Sequence, residues 1–339
     1  MRKRVFCLCF ISFLLFACAK AQENTPVDEP PEVLSSEGDG DNTKTHNILA
    51  DNDFSQGFKL LEPRNDGKRV FCPNINYGGE ADGQPVWEMS QWASPYNFKN
   101  ATYNKQENGS YKYINESRSC IINTKDNEIE INLNSWKEYQ ELFGHSRTGN
   151  ENWSHFLLEQ SFPNPVKIVD VKSIFAQCEF TINKSVDLDP GQPIPCAQLT
   201  WYFTITDVRN GDSAYQSGNN DNDFMWFGLP FYDSRYEYMS ENKMVDQGFN
   251  GATNKLIYGM DSRVVLNNQK VEIGKTMTVN IDILPYIKKA YLYGIAYDAL
   301  IDSDLDDLTL NYMNIGWELP GSFDVSLTLK NMSVVVEDK

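Results

Sequence analysis

The residue types in this chain that could carry out acid–base chemistry are few, and their spacing limits what they could do. Glu128 and Glu130 lie two apart in Asn127-Glu-Ile-Glu-Ile-Asn-Leu-Asn134. On a strand, both would point to one face about 7 Å apart. Hydrolysis of a glycosidic bond needs two carboxyls roughly 5–9 Å apart. The same pair also suits a solvated strand face. His155 and Glu159, in His155-Phe-Leu-Leu-Glu-Gln160, offer a second acid–base pair or a polar edge on an apolar segment. Two acidic loops supply hard oxygen ligands suited to structural calcium. One contains Asp221 and Asp223, the other Asp302, Asp304 and Asp306. Neither follows the EF-hand pattern, so solvated loops are the competing reading.

A third set pairs aromatic rings with polar neighbours: Trp87 with Glu88, then Trp92, Tyr232 with Asp233, Arg235 with Tyr236, and Trp317 with Glu318. Flat rings stack on the C–H faces of sugars, while carboxylates and guanidinium groups chelate hydroxyls. These are the candidate carbohydrate-binding residues. Trp201 and Trp226 have the setting of core residues, and Asp233 with Arg235 also reads as a turn-closing ion pair. No Gly-x-Ser-x-Gly elbow, His-x-x-x-His metal pair, phosphate-binding loop or dinucleotide fingerprint is present.

The elements that must position these residues read as β-structure. Phe224 to Phe231 is an unbroken apolar run ending in turn chemistry, expected to be a strand buried on both faces. In Gln198 to Val208, Leu199, Trp201, Phe203 and Ile205 alternate against polar residues. Ile129, Ile131 and Leu133 do the same in the Glu128/Glu130 segment. Strands are expected at 54–58, 68–71, 166–176, 179–183, 255–258, 277–283, 323–330 and 333–336. A capping box, Ser135 with Glu138, predicts a short helix to Phe143, stopped at Gly144. Pro285 opens a second helix running to about Tyr293. The chain has 339 residues, 41% of them hydrophobic and 13% aromatic, enough for one large core. No repeat or second linker interrupts it. Residues 53–339 therefore read as one all-β, antiparallel jelly-roll β-sandwich with one or two short helices.

The formal charge of −17 repels phosphate backbones and argues against nucleic acid as a partner. Residues 1–17 form a signal peptide: a basic Met1–Arg4, then an apolar Val5–Phe16 too short to span a membrane. Leu15-Phe-Ala-Cys18 resembles the lipobox of bacterial lipoproteins, which implies cleavage before Cys18 and a lipid on its sulfur. Residues 18–52 carry eight acidic and two basic groups and no aromatic, and read as a disordered tether. Acidic residues soon after a lipidated cysteine resemble the surface-export signals of Bacteroidota lipoproteins, placing the domain on the outer membrane, facing outwards. Four cysteines remain in the domain, which permits two disulfides. Cys178 and Cys196 flank one loop and are the expected pair; Cys72 and Cys120 pair by elimination. Free buried thiols are the alternative.

Gln84–Glu88, Trp226–Arg235 and Asn314–Val325 resemble segments of secreted concanavalin-like β-sandwich proteins of Bacteroidota, a family of unassigned activity. Glu128-Ile-Glu-Ile faintly resembles the acid-bearing strand of laminarinase-like hydrolases, but Asn132 stands where their third acid falls. These resemblances imply a jelly roll in a polysaccharide context. The expectation is a lipid-anchored glycan-binding protein. A sandwich-fold glycoside hydrolase or polysaccharide lyase comes second, and an adhesion lipoprotein with a flat, wholly polar face third.

Overall fold

The structure, a computed structural model, describes residues 44–64, 69–149, 151–208, 223–246, 255–297, 299–300 and 303–339. In chain order the strands are β1 (Thr45–Asn47), β2 (Phe58–Leu60), β3 (Trp87–Ser90), β4 (Thr102–Lys105), β5 (Tyr111–Ile114), β6 (Arg118–Asn123), β7 (Glu128–Asn134), β8 (Ser154–Lys167), β9 (Val171–Asp187) and β10 (Gln198–Asp207). They continue with β11 (Phe224–Asp233), β12 (Asn242–Val245), β13 (Leu256–Gly259), β14 (Thr276–Asp282), β15 (Leu308–Leu319) and β16 (Phe323–Asp338). The α-helices are α1 (Ser135–Phe143), α2 (Ser262–Val265) and α3 (Leu284–Ala296).

Two sheets form. The first runs β14-β9-β16-β7-β6-β5-β4, with β1 also on β16. The second runs β12-β13-β11-β10-β15-β8-β3-β2. Pairing is antiparallel except β11 with β13 and β2 with β3. Alternation fixes which face of each strand is buried. Ile129, Ile131 and Leu133 of β7 meet Leu199, Trp201 and Phe203 of β10 in one continuous core between the sheets. The jelly-roll β-sandwich read from the sequence is the architecture observed.

β11 is buried along both faces except at Trp226 and Tyr232. Pro230 is tolerated because β13 pairs only with residues 225–228, so nothing on that side needs its missing N–H. Among the described residues, β1, β3, β4, β5, β6, β8, β12 and β15 escape the sequence reading, and the strand expected at 68–71 is reduced to a bridge at Phe71. β8 carries Pro163 and Pro165, which argue against a strand; they sit where the pairing with β15 changes register and no ladder bond is required. In β15, Asn311, Asn314 and Gly316 hide a strand that is buried almost throughout. The two segments expected at 323–330 and 333–336 are one strand. A bulge at Asn331, whose φ is 52°, breaks the alternation without ending it.

Helix α1 sits where expected, but its cap differs. The Asn134 side chain accepts the Lys137 amide at 3.0 Å. Glu138 turns inward to Arg118 instead of back to the cap. Order also begins earlier than Asp53: β1 pairs with β16, and Ile48 and Leu49 are buried in the core. The tether expected over 18–52 therefore loses its last residues to the sandwich, and Cys18 and the signal segment lie outside the described residues.

The expected disulfides are not formed; Cys72, Cys120, Cys178 and Cys196 are free and buried. Cys196 lies beside Asp233, at the end of the second sheet where Tyr232 bonds to Ser185 of β9. Cys178 is seven residues further along β9, about 20 Å at strand rise, beyond disulfide reach. The Cys72 thiol instead meets the Asn97 amide at 3.5 Å. Burial raises the pKa of Cys120 and Cys178, and that of Cys196 to about 12.

Candidate functional site

The outer face of the second sheet, turned away from the core, assembles in rows that follow the strand register. Across β2, β3, β8, β15, β10 and β11, one row reads Lys59, Glu88, Glu159, Asn314, Tyr202 and Gly228. The row on one side contains Ser161, Tyr312, Thr204 and Trp226. The row on the other side is made of Ser90, Leu157, Gly316, Thr200 and Pro230. Beyond it, His155, Glu318, Gln198 and Asp233 form a fourth. The core-facing partners Phe156, Leu158, Ile315 and Trp317 fix this orientation, because a one-residue slip would bury every carboxylate.

Glu88 and Glu159 stand directly opposite each other, so their Cβ atoms are about 5 Å apart. Arg69 reaches both with one guanidinium nitrogen: it is 2.8 Å from Glu159 Oε2 and hydrogen-bonded to Glu88. The arm that delivers it runs back along β2, through Glu62 N to Val70 O and Cys72 N to Leu60 O. The Tyr312 hydroxyl donates to Glu159 Oε2 at 2.5 Å, and Lys59 lies 3.8 Å from Glu88. Glu159 is 2% exposed, so this charge cluster is recessed. Burial pulls the Arg69 pKa down, but Glu159, Tyr312 and Glu88 outweigh it and hold it above the usual range.

Tyr202 lies over Gly228, where an added Cβ would come within 2.6 Å of its ring. The glycine allows that ring to lie along the sheet, edge-on to Trp226 at 6.4 Å. Burial pushes the Tyr202 hydroxyl pKa up. Gly316, with φ 153°, lets β15 approach β8; a Cβ there would strike the Phe156 carbonyl. His155 Nε2 lies 3.4 Å from Glu318 Oε1, and the Trp153 ring covers His155 at 5.6 Å. Among the described residues, Ser90 Oγ, Thr204 Oγ1, Asn311 Nδ2 and His155 Nδ1 are buried polar atoms on this face with no hydrogen-bond partner. Ser90 and Thr204 are wholly shielded from solvent, so they lie beneath the face, where a bound molecule does not touch them directly.

Several residues expected at a site lie elsewhere. Trp87 and Trp317 are core, fully buried, because alternation points them between the sheets. Tyr232 also turns toward the first sheet, bonding Ser185 at 3.0 Å and packing on Trp317. Glu128 and Glu130 lie on the outer face of the first sheet. Glu128 is 3.9 Å from Lys330, and Glu130 accepts from Asn132, so they form a polar strand face and no cleft. His155 and Glu159 share a face but are four residues apart and serve different partners, so they are not a pair.

Asp233 and Arg235 close on each other. Arg235 Nε and Nη2 donate to the carboxylate at 2.9 and 2.6 Å, and Gln198 adds a third bond at 3.0 Å. The Arg235 guanidinium lies over the exposed Tyr236 ring at 5.1 Å. A cleft of about 370 Å³ opens here, bordered by Tyr236, Glu237, Lys270 and Ile273. Trp92 is half-buried just past β3, its carbonyl accepting the His155 amide at 3.1 Å. Asp223 pairs with Lys255 at 2.7 Å; Asp304 and Asp306 are exposed, and Asp221 and Asp302 lie outside the described residues. Among the described residues no three His, Cys, Asp or Glu side chains are grouped to hold a metal.

The sequence reading missed Arg69, Tyr312, Asn314 and Tyr202 as site residues. Tyr202 alone had a signal, the polar phase of an alternating strand.

No protein-family model matches this chain, and no curated protein does. Similar solved structures include the native family 12 xyloglucanase from Bacillus licheniformis, 11% identical over 73% of this chain and 99% of that chain, with a TM-score of 0.40. Endoglucanase cel12A from Rhodothermus marinus is 10% identical over 70% and 97%, with a TM-score of 0.37. The family 11 xylanase from Neocallimastix patriciarum is 9% identical over 74% and 95%, with a TM-score of 0.31. At these identities the likeness is one of backbone arrangement.

Proposed function

We propose that the outer face of the second sheet binds a polysaccharide, and that the chain is a lipoprotein anchored through Cys18 which presents this face outside the outer membrane. The observation that carries the binding reading is the row Glu88, Glu159, Asn314, Tyr202 with Arg69 across it. It places hydroxyl-chelating charges and an aromatic ring along one rigid face. This face mixes apolar and polar residues, which weighs against the flat polar face of a purely adhesive protein. Isothermal titration of the full chain in detergent against plant, algal and host polysaccharides tests the reading; no binding to any of them rejects it. The anchor is tested separately: Cys18→Ser should move the protein from the membrane to the soluble fraction.

A hydrolase reading draws on the opposed Glu88 and Glu159, whose spacing suits a retaining pair. Against it, the Arg69 nitrogen occupies the space between the two carboxyls where a glycosidic bond would need to lie. Sugar release from the same panel, abolished by Glu159→Gln and by Glu88→Gln, would favour catalysis over binding.

A further inference from the structure

Resting on the glycan-binding reading, we infer that the ligand of this face is an uncharged glycan, and that carboxylated or sulfated polysaccharides are rejected. The reason is how the charges on the face are already used. Among the described residues, the cations gathered on it meet carboxylates: Arg69, brought in by its arm, holds Glu88 and Glu159, and Lys59 faces Glu88. At the far end Arg235 is chelated by Asp233. A ligand anion would have to displace one of these bonds, leaving a recessed carboxylate unpaired, which is costly.

The other polar side chains that the register sets on this face, Asn314, Tyr202, Thr200 and Gln198, are uncharged. Their amide and hydroxyl groups both donate and accept, as a sugar hydroxyl requires. The carboxylate at the more open end, Glu318, lies between His155 and Gln198 and is more exposed than His155. It meets an approaching anion with repulsion. Between Glu159 and Glu318 the face is lined by Gly316, Thr200 and Leu157, which carry no charge, so a sugar ring lying there is flanked by carboxylates on both sides.

Matched polysaccharides that share a backbone and differ in charge separate this inference from the reading beneath it. The full chain in detergent is titrated, at low salt, with hydroxyethylcellulose against carboxymethylcellulose and with methyl-esterified pectin against polygalacturonate. The other neutral members of the binding panel are paired with alginate and heparin. The expected result is at least tenfold tighter binding of the uncharged member of the pair that binds, with Glu318→Gln narrowing the gap by about threefold as one nearby repulsion is removed. Equal or tighter binding of the acidic member overturns the inference and leaves glycan binding intact. Absence of binding to every polysaccharide overturns both.

Discussion

Two arginines in this protein bring buried glutamates to rest, and the clusters differ in what they leave over. Arg118 on β6 and Glu138 on α1 are both fully buried. Arg118 Nε and Nη2 donate to the carboxylate at 2.7 and 3.0 Å, and Ser94 and Ser117 add bonds at 3.0 and 2.7 Å. The remaining guanidinium nitrogen donates to the His155 carbonyl at 2.7 Å, and Phe156 lies beneath the guanidinium at 5.2 Å. That cluster is complete, and it ties the first sheet, a helix and the second sheet together. The Arg69 cluster shares one guanidinium nitrogen between two carboxylates, with Lys59 and the Tyr312 hydroxyl beside them, and sits at a recessed surface. A satisfied buried network rigidifies a fold, whereas charges gathered near a surface stay within reach of a ligand.

The largest expected effect breaks the complete cluster. Glu138→Gln should cost about 3–5 kcal/mol in denaturant unfolding, because it strands a buried guanidinium. A loss under about 1 kcal/mol would remove the contrast. Arg69→Met should cost less stability, about 1–3 kcal/mol, yet lower polysaccharide affinity at least tenfold by titration. If it proves as destabilising as Glu138→Gln and leaves binding unchanged, the two clusters are alike. Smaller again is Gly228→Ala, which pushes the Tyr202 ring off its seat. Stacking of this kind is worth about 1 kcal/mol, so affinity should fall about fivefold with the melting temperature nearly unchanged.

The smallest effect lies outside both clusters and checks that neither sets the pH response near neutrality. Burial, together with the Asp53 carboxyl, raises the Asp51 pKa from 3.8 to about 7. Between these values the folded state binds more protons than the unfolded chain, so this group's contribution to stability falls as pH rises from about 4 through 7. Asp51→Asn should flatten that slope in melting experiments across the same range. An unchanged slope would place the response elsewhere.

The contrast also explains what could be read before folding. Leu199, Trp201, Phe203 and Ile205 announced a strand and its buried face because a period of two needs only local information. Glu88 and Glu318 stood out as residues beside aromatics, and Glu159 as a candidate partner of His155. What they face was not legible, since Glu88 meets Glu159 through sheet register across 71 residues of chain and Arg69 joins from a separate arm. The aromatics misled for the same reason. Trp87, Trp317 and Tyr232 are large, and one phase of the alternation puts them in the core while the other would have made a platform. The disulfides inferred from loop flanking failed because Cys178 lies far along β9 from the end that meets the Cys196 region.

The sequence alone determined the all-β architecture and the positions of about half of the strands and of both longer helices, and it offered the Asp233–Arg235 turn pair as one reading, because each depends on neighbours a few residues away. It also carried the resemblance to a lipobox at Cys18, written in consecutive residues, on which the proposed anchor rests. Only the tertiary structure decided which glutamates share an arginine, which tryptophans are core, and where hydroxyls are left without partners. Those outcomes depend on pairing between strands distant in sequence, where a single residue of register exchanges the inner face of a sheet for the outer one.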